Sequence, residues 1–471
     1  MSGSAVVVGS GPNGLSAAVT LARAGHKVTV LEAAPTIGGG ARAGESTLPG
    51  YLHDICSAIH PLGAGSPFFR TLPLAEYGLT WLQPEIAMAH PFDDGTAVTL
   101  RQSLTETADG LGRDGEAYRR LMEPLAQGWH ELAPAILGPL ARVPKNPLLM
   151  MRFGLPALLS ARKLAHTLFQ NERTRALIAG LAAHANVRLE APFTASFALV
   201  LGAAGHAVGW PVASGGSQSI ADALASYLRS LGGEIVTDTR VESMSDVPGA
   251  DATLFDLTPR QISRIAGSSL TDAYRSRLET FRYGSAIFKV DYALDGPIPW
   301  RADECRRAGT VHLGGTLDEI VACEEDVARG RIPERPYMIV AQQSLVDPTR
   351  APAGKHTGWA YCHVPHGCTE DMTSRIEAQI ERFAPGFRDL VLARKSTGPA
   401  DLAAYNENYI GGDIGGGAYN GIQMFARPAP RLDAYTTSNP RLFICSASTP
   451  PGAGVHGMCG YHAGLAALRR F

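Results

Sequence analysis

Cysteine is scarce in this sequence: seven residues are scattered over 471 positions, and no two form a CxxC or CxxxxC pair. A dithiol oxidoreductase needs such a pair as its redox centre, so this class of enzyme is excluded. A sparse, odd-numbered set of cysteines is typical of proteins that are kept reduced in the cytoplasm, and we expect that location.

The segment CHVPHGC at residues 362–368 combines cysteine and histidine in a way that could bind zinc. Residues 359–364, however, have the pattern of a strand, which places Cys362 and His363 on opposite faces. A Pro-His-Gly turn follows. We therefore favour a strand and a turn over a metal site, and we predict that the protein holds no metal.

Charged residues are also few, at 18%, and the net charge is −2. Nucleic-acid binding requires a basic face, so we expect no nucleic-acid partner. Residues 191–221 contain no Asp, Glu, Lys or Arg, but glycines, Pro192, Pro211 and His206 interrupt the run. We therefore predict a buried region that lines an apolar cavity rather than a membrane span. The chain opens on a strand pattern, so we expect no signal peptide.

Acidic residues are absent from residues 138–169, whereas Lys145, Arg152 and Lys163 recur there among Leu, Met and Phe. A basic amphipathic segment can lie on an anionic membrane surface, and residues 133–169 are our candidate for such a peripheral contact. The alternative is a pair of domain helices with solvated arginines. A lipid-soluble substrate would find a natural entrance at this segment.

Glycine, by contrast, is abundant, with 52 residues, and its clearest pattern opens the chain. A valine-rich run at residues 4–8 is followed by a glycine loop at 9–14, a helical pattern at 15–24 and a second valine-rich run that ends at Glu32. This order is typical of a dinucleotide-binding βαβ unit. The alternative is a glycine-rich turn that binds no ligand.

The residues of this unit have distinct physical roles in binding a dinucleotide. Gly9 permits the turn out of the strand, Gly11 lets the backbone approach a pyrophosphate, and Gly14 lets the helix pack on the strand. The helix N-terminus offers N–H groups and a positive dipole end to the phosphates. Glu32 is placed to accept hydrogen bonds from ribose hydroxyls. The predicted cofactor-binding residues of this unit are Gly9, Gly11, Pro12, Asn13, Gly14, Glu32 and Ala33.

A second glycine cluster, GGGAR at residues 38–42, follows shortly after Glu32. It resembles the extended FAD fingerprint of the flavoprotein family that includes amine oxidases, protoporphyrinogen oxidase and the carotenoid desaturases. The resemblance implies that Gly39 and Gly40 let the backbone pass the flavin side of the cofactor, and that Arg42 meets the pyrophosphate. A guanidinium can fork onto phosphate oxygens. The alternative is that Arg42 is a solvated surface arginine.

The next segment, residues 51–65, is similar to the stretch that passes the flavin ring in this family. The resemblance implies that Ser57, Ala58 and Ile59 lie near the isoalloxazine. It also makes His60 a candidate catalytic residue, as a proton donor or a substrate contact. A packed, hydrogen-bonded histidine is the alternative for this position.

Two later segments resemble the same family. Residues 215–241 are similar to the helix and strand with which the chain returns to the nucleotide domain, where the backbone of Val241 would meet the adenine. Residues 441–469 are similar to the strand, glycine turn and helix that close over the flavin, and this helix N-terminus would favour the negative charge that grows on reduction. The implied contacts are the backbones of Gly454, Gly457 and Met458, with His456 near the ring as a third catalytic candidate.

Two elements are predicted for the part of the chain that binds substrate. Residues 104–129 show the apolar period of a helix, and residues 281–300 show the alternation of a strand. The residues expected on one face of that strand are Ala286, Phe288, Val290 and Tyr292. Resemblance to amine oxidases implies that Lys289 holds a water near flavin N5 and acts in catalysis. The alternative is an edge-strand lysine that faces solvent.

Together these segments cover nearly the whole chain, which resembles the phytoene-desaturase-like NAD(P)/FAD-dependent oxidoreductases. The resemblance implies an α/β fold with a Rossmann-type FAD-binding domain and an inserted mixed-sheet plus helical substrate domain. The predicted FAD-binding domain comprises residues 1–72, 210–275 and 425–471. The predicted substrate-binding domain comprises residues 73–209 and 276–424.

The resemblance also implies FAD as cofactor and hydride transfer between flavin N5 and a lipophilic or polycyclic small molecule. Dehydrogenation of a carbon–carbon bond is favoured. The alternatives are a flavin oxidase of an amine or alcohol and, in another class, a non-enzymatic lipid or prenyl carrier that has lost its flavin. The intact glycine loop and Glu32 argue against the carrier. The sequence leaves the substrate, the electron acceptor and the oligomeric state open.

Overall fold

The computed structural model describes residues 3–139 and 144–471, and this part of the chain alternates strands and helices. The strands are β1 (Ser4–Val8), β2 (Lys27–Leu31), β3 (Ala43–Glu45), β4 (Leu52–Asp54), β5 (Trp81–Leu82), β6 (Ile86–Pro91), β7 (Ala97–Leu100), β8 (Val212–Ala213), β9 (Glu234–Val236), β10 (Ala252–Phe255), β11 (Ala286–Leu294), β12 (Ala308–Leu313), β13 (Met338–Ala341), β14 (His356–Val364), β15 (Val391–Thr397) and β16 (Leu442–Ile444).

The helices follow the same chain order, and short 3-10 turns connect several of them. They are α1 (Pro12–Arg23), α2 (Pro61–Ala64), α3 (Leu104–Gly110), α4 (Gly115–Gln127), α5 (Trp129–Ile136), α6 (Pro147–Ala157), α7 (Ala161–Leu168), α8 (Glu172–Ala183), α9 (Ala195–Val208), α10 (Gln218–Ser230), α11 (Pro259–Ala266), α12 (Asp272–Glu279), α13 (Asp303–Arg307), α14 (Leu317–Ala328), α15 (Thr373–Phe383), α16 (Pro399–Tyr405) and α17 (Met458–Leu468).

The first sheet is parallel, with the strand order β16-β10-β1-β2-β9. The side chains of its central strand β1 point alternately into two hydrophobic cores, one on each face of the sheet. Ala5 and Val7 pack with α1 on one face, whereas Val6 and Val8 pack with α11 and α12 on the other. A parallel sheet covered by helices on both faces is the Rossmann arrangement, so the predicted α/β fold class is confirmed.

The second sheet has seven strands in the order β15-β11-β14-β13-β12-β6-β7 and is mixed, because β12 and β6 are parallel and the other pairs are antiparallel. All nine residues of β11 are buried. Ala286, Phe288, Val290 and Tyr292 share a core with α15, as predicted. The strand is shorter than residues 281–300, because Asp295-Gly296-Pro297 turns the chain away from the sheet.

Helices α4 to α9 form a layer whose core is continuous with the opposite face of this sheet, including Ile287 and Ile339. The helix predicted over residues 104–129 is divided between α3 and α4, because Gly112 adopts a positive φ of 57° between them. Among the described residues, no helix is long and apolar enough to cross a membrane.

The last helix, α17, packs on α1 at a distance that only glycine permits. A side chain on Gly460 would lie 1.8 Å from the carbonyl oxygen of Asn13, and one on Gly464 would lie 2.8 Å from Thr20. This contact fixes the C-terminal helix directly behind the glycine loop.

The two predicted domains are joined by a short antiparallel pair in which Trp81 of β5 lies opposite Ala213 of β8. The chain then enters α10 and returns to the Rossmann sheet. The predicted domain boundaries, including the one at 209/210, stay predictions.

Candidate cofactor and substrate site

A continuous cavity of about 1460 Å³ runs from the glycine loop of the Rossmann sheet to the helical layer. Single-ligand sites typically measure roughly 300–1,000 Å³, so this cavity has room for a cofactor and a second molecule. The predicted residues that line it are Gly9, Gly11, Pro12, Asn13, Glu32, Ala33, Gly39, Gly40, Arg42, Ser57, Ala58, Ile59, His60, Val241, Gly454 and His456.

The glycine loop begins at Gly9, whose φ of 100° turns the chain out of β1. Gly14 lies on α1 behind the loop rather than in the cavity wall, and a side chain there would lie 2.1 Å from the Gly9 carbonyl. Gly39 approaches from the second glycine cluster, where a side chain would lie 3.1 Å from the Cα of Gly11. The two glycine clusters therefore form one cradle that side chains would fill.

Glu32 ends β2, and its carboxylate is held at the edge of this cradle. It accepts hydrogen bonds from the Ser10 N–H (2.9 Å), the Ser10 hydroxyl (2.6 Å) and the Ala34 N–H (2.9 Å). Val241 is buried in the wall on the same side, where the Thr239 N–H donates to the Glu32 carbonyl. Contacts from Glu32 to ribose and from Val241 to adenine stay predictions.

Arg42 is 9% exposed, so the alternative of a solvated surface arginine is wrong. Its guanidinium donates to the carbonyls of Thr36 (2.5 Å) and Ile37 (3.2 Å) and lies 3.4 Å from Glu32. Its cationic centre also lies 5.5 Å from the ring centroid of Tyr405. These contacts hold a fixed positive charge at the cavity wall, and its contact with pyrophosphate stays a prediction.

Asp256 was not predicted, yet its carboxyl group lies against the glycine loop. It follows β10, the parallel neighbour of β1, and its Oδ2 accepts a hydrogen bond from the Gly14 N–H at 2.9 Å. Burial, together with the nearby charge of Glu32, raises the pKa of Asp256 to about 7. The sequence signal for Asp256 was its place at the end of a predicted strand. The sequence does not show, however, that this strand pairs with β1.

His60 lines the cavity and is packed and hydrogen-bonded, which is the alternative given above for this position. Ser217 donates its hydroxyl hydrogen to the Ser57 carbonyl (2.6 Å), so the His60 Nε2–H must donate to the Ser217 oxygen (2.9 Å). Burial lowers the pKa of His60 to about 4, so the ring is neutral near pH 7. A catalytic role for His60 stays a prediction, but Nε2 is occupied by this contact.

The glycine turn before α17 brings Gly454 and His456 to the cavity, whereas Gly457 and Met458 lie behind the wall. The Met458 N–H donates to His456 Nδ1 at 3.0 Å, so this amide is not free for a cofactor. A side chain on Gly457 would lie 2.2 Å from the Ser16 hydroxyl oxygen. Burial lowers the pKa of His456 to about 4, so its neutral ring carries the proton on Nε2.

Lys289 lies one layer behind the cavity wall and is 1% exposed, so the solvent-facing alternative is wrong. Its Nζ donates to Asp291 Oδ2 at 2.5 Å and lies 5.8 Å from the ring centroid of Trp359, which lines the cavity. Burial and the Lys289 charge lower the pKa of the adjacent His53 to about 3, so His53 is neutral. A catalytic role for Lys289 stays a prediction, and any effect on the cavity must pass through its neighbours.

The face prediction for residues 359–364 is correct. Cys362 is buried in the core beneath α15, whereas His363 faces the cavity and pairs with Glu324 at 2.7 Å. The two side chains therefore belong to different sides of the sheet.

The site fits FAD on structural grounds. The cradle has no room for side chains, the Glu32 carboxylate is held at its edge, and α1 directs its N-terminus at the loop. Asn13 lines the cavity, and its buried Oδ1 has no hydrogen-bond partner within the described residues. Gly9, Gly11, Asn13, Glu32 and Arg42 are the residues that would hold the nucleotide half of the cofactor.

Comparisons with known proteins agree with this assignment. Residues 7–72 match the family described as an NAD(P)-binding Rossmann-like domain. The fold is similar to that of an oxidoreductase from Methanosarcina mazei, which covers 99% of this chain and 100% of its own at a TM-score of 0.68 and 17% identity. Wild-type putrescine oxidase covers 100% of this chain and 99% of its own, with a TM-score of 0.62 and 16% identity. The fold and the cavity are those of an FAD-dependent oxidoreductase.

The chain is homologous to two kinds of oxidoreductase. Pyridine nucleotide-disulfide oxidoreductase domain-containing protein 2 of Rattus norvegicus is 25% identical over 98% of this chain and 92% of its own length. Hydroxyneurosporene desaturase of Cereibacter sphaeroides is 25% identical over 98% of this chain and 97% of its own. The predicted resemblance to desaturases is therefore confirmed.

Proposed function

We propose that this enzyme dehydrogenates a carbon–carbon bond in a lipophilic or polycyclic small molecule. FAD supplies the two-electron acceptor for this reaction when it is bound. The observation that carries the proposal is the apolar extension of the cavity beyond the cofactor cradle. Its walls come from α6, α9 and the mixed sheet and include Phe153, Phe197, Val200, Leu201 and Ile287.

These apolar walls would bind the substrate by burial and would exclude water from the reacting carbon. Oxidation of an amine is the second candidate, since amine oxidases share the fold. It is less favoured because the Asp413 carboxylate, which lines the cavity, already accepts hydrogen bonds from the N–H groups of Gly284, Gly415 and Gly417. Three of the roughly four acceptor positions of that carboxylate are therefore taken, which weakens it as a site for an ammonium group.

The test is anaerobic reduction of the purified flavoprotein by fractions of an extract from the source organism. We expect the lipid fraction to bleach the flavin and to yield a product that has lost two hydrogens. Bleaching by amines with release of ammonia would instead indicate an amine oxidase. A protein that cannot be reconstituted with FAD would support the carrier. Measuring dioxygen consumption during aerobic turnover then separates an oxidase from a dehydrogenase.

We further propose that the mouth of this cavity rests on an anionic lipid surface. An apolar rim, defined by Leu148, Met151, Leu155, Leu158, Ile422 and Phe425, is 44–78% exposed. Phe193 joins its two parts, because its N–H donates to the Leu158 carbonyl and its ring lies 4.8 Å from that of Phe425. Residues 140–143 of the candidate segment 133–169 lie outside the described residues.

The inward face of α6 supports this proposal, since Met150, Phe153 and Ala157 line the cavity directly behind the rim. Lys145 and Arg152 flank the rim with positive charge, whereas Arg162 is paired with Glu190 and Asp318. An apolar surface flanked by cations is suited to anionic headgroups and acyl chains.

Leu155→Glu should weaken binding to phosphatidylglycerol-containing vesicles by about tenfold or more, because it removes an exposed leucine that would insert among the acyl chains and adds a charge of the same sign as the lipid. Vesicle co-sedimentation measures the effect. The matched control is Leu432→Glu, which changes a 97% exposed leucine outside the rim and should leave binding unchanged. Equal binding by wild-type protein and Leu155→Glu would contradict the proposal.

A further inference from the structure

His363 and Glu324 form a buried pair at the side of the cavity that the mixed sheet provides. His363 lies near the end of β14, opposite Ile287 of β11, and both of these residues line the cavity. Glu324 lies on α14, its side chain is 1% exposed, and its Oε1 lies 2.7 Å from Nδ1 of His363. The pair therefore joins a titratable ring in the cavity wall to a carboxyl group buried next to it.

The ring of His363 is held in place by its neighbours. It packs against the rings of Tyr337 and Tyr361, with centroid distances of 5.9 Å and 5.8 Å. Tyr337 is fixed in turn, because its hydroxyl donates to the Gly180 carbonyl at 2.8 Å. Since Nδ1 is occupied by Glu324, Nε2 is the ring nitrogen left for a molecule in the cavity. Nε2 has no hydrogen-bond partner among the described residues, yet it keeps accessible surface, unlike Glu324 Oε2.

Glu324 determines which hydrogens the pair carries. Its Oε2 is buried and has no hydrogen-bond partner, and His363 is the only basic side chain in ion-pair contact with it in the part of the chain that the structure describes. A buried carboxylate with a single hydrogen bond and no cation is costly. The pair should therefore retain a proton that cancels the charge of the carboxylate.

This proton can occupy two positions, and both have the same consequence for the cavity. When it is on the imidazole, His363 is a cation and carries a hydrogen on each nitrogen. When it is on Glu324, the carboxyl O–H donates to Nδ1, and the neutral ring carries its own hydrogen on Nε2. Burial, assisted by the charge of His363, lowers the pKa of the nearby His184 to about 3, so His184 does not compete for the proton. Nε2 of His363 is an N–H donor in either form.

We propose that His363 is a specificity-determining residue that donates a hydrogen bond to a carbonyl oxygen of the substrate. Glu324 is the positioning residue that keeps the hydrogen on Nε2. A carbonyl oxygen only accepts, whereas the hydrogen of a hydroxyl group gains nothing from a donor. A carboxylate would add negative charge beside Glu324 in an apolar cavity. The substrate class narrows accordingly to lipophilic carbonyl compounds. The inference rests on the proposed function for the lipophilic substrate, but not for the reaction.

The test is calorimetric titration of the FAD-loaded protein with cyclooctanone, with methylenecyclooctane, in which a CH₂ group replaces the carbonyl oxygen, and with cyclooctanol. We compare the ratio of the dissociation constants of methylenecyclooctane and cyclooctanone in two proteins. This ratio should be roughly five- to 100-fold larger for the wild-type protein than for His363→Phe, the range expected for one hydrogen bond from a buried or charged donor. Because binding is measured, a failure of the proposed reaction would leave this result intact.

Two outcomes of this titration would overturn the proposal. The first is an equal ratio in the wild-type protein and His363→Phe. The second is a preference for cyclooctanol over cyclooctanone that disappears in His363→Phe, because it would show that Nε2 accepts a hydrogen bond. If none of the three ligands binds, the lipophilic substrate of the proposed function is wrong, and NMR alone decides whether Nε2 is a donor.

Further variants separate recognition from packing. His363→Gln keeps an N–H donor at the end of its side chain and should retain part of the preference for the ketone. Glu324→Leu should reduce this preference, whereas Glu324→Gln, whose amide N–H can donate to Nδ1 as a carboxylic acid does, should restore much of it. Equal weakening of both ligands by Glu324→Leu would show a merely structural role. The matched control is His366→Phe, which changes an exposed histidine just after β14 and should leave the ratio unchanged.

NMR of isotope-labelled histidine tests the hydrogen positions in the wild-type protein, without a ligand and without a change in stability. The Nε2 of His363 should carry a hydrogen, and its signal is assigned by its absence from the spectrum of His363→Gln. An unprotonated Nε2 near pH 7 would overturn the proposal.

Discussion

Replacing Lys289 by methionine will lower the free energy of unfolding by about 3–5 kcal/mol, the usual cost of removing one partner from a buried ion pair. Lys289 and Asp291 are 1% and 2% exposed in their side chains and lie 2.5 Å apart. Without the ammonium group, the carboxylate of Asp291 is left uncompensated between β14 and β15. Urea denaturation followed by circular dichroism measures the change.

The pH dependence of this loss has a defined sign. Burial already raises the pKa of Asp291, although Lys289 opposes the shift. Removing Lys289 will raise this pKa further, and an acid with a raised folded-state pKa destabilises the fold as the pH rises through that value. The deficit of Lys289→Met should therefore be larger at about pH 8 than at about pH 5.

Two controls make the result specific. Lys355→Met removes a lysine that is paired with Asp295 at the surface, and it should cost no more than about 1 kcal/mol. The double variant Lys289→Met/Asp291→Leu removes both charges and should recover most of the lost stability. If Lys289→Met is as stable as Lys355→Met, the buried pair does not stabilise the fold as described.

Asp256→Asn should remove a pH dependence from FAD binding. In the wild-type apoprotein, Asp256 ionises at a pKa of about 7 beside the loop that receives the diphosphate. The diphosphate favours the protonated carboxyl group, so binding above this pKa takes up a proton. The dissociation constant should then rise by up to about tenfold per pH unit, or about 100-fold between pH 7 and 9. Asparagine cannot ionise and should give a flat profile.

Quenching of FAD fluorescence during titration of the apoprotein measures this effect. The matched control is Asp251→Asn, because Asp251 lies just before β10 and Asp256 just after it, and Asp251 is exposed and bonded to Ser4. Parallel profiles for wild-type protein and Asp256→Asn would show that the carboxyl group does not interact with the phosphates. The free energy of unfolding should also fall with rising pH, because the stabilising contribution of protonated Asp256 is lost as the pH rises through about 7.

Local patterns in the sequence were sufficient to predict many elements of the fold. The βαβ unit from β1 to β2, the core face of β11 and the opposite orientations of Cys362 and His363 all follow from period and spacing. The errors were also local. The strand predicted over residues 281–300 ends earlier, at a Gly-Pro turn, and the helix predicted over residues 104–129 is divided at Gly112.

The contacts that define the chemistry of the site join residues that are far apart in the sequence, so no local sequence pattern predicts them. Asp256 meets Gly14 only because β10 pairs with β1, and His60 is hydrogen-bonded to Ser217 although 157 positions separate them in the sequence. Lys289 and Asp291 are two residues apart, but their burial depends on strands β14 and β15 on either side. The period and composition of a segment predict a single helix or strand, but they do not predict which strands pair with each other.

The order of strands in the Rossmann sheet also constrains how the protein is made. Ala5 pairs with Ala252, and Thr253 pairs with Leu442, so β1 gains its second neighbour only when β10 has been made, and the sheet is complete only after β16 has left the ribosome. At roughly 5–20 residues per second, this takes on the order of 20–90 s. Until then the growing sheet has an unpaired edge, and the glycine loop lacks α17 behind it. The flavin can therefore be loaded only late in biosynthesis, and a chaperone that shields this edge would raise the yield of holoenzyme.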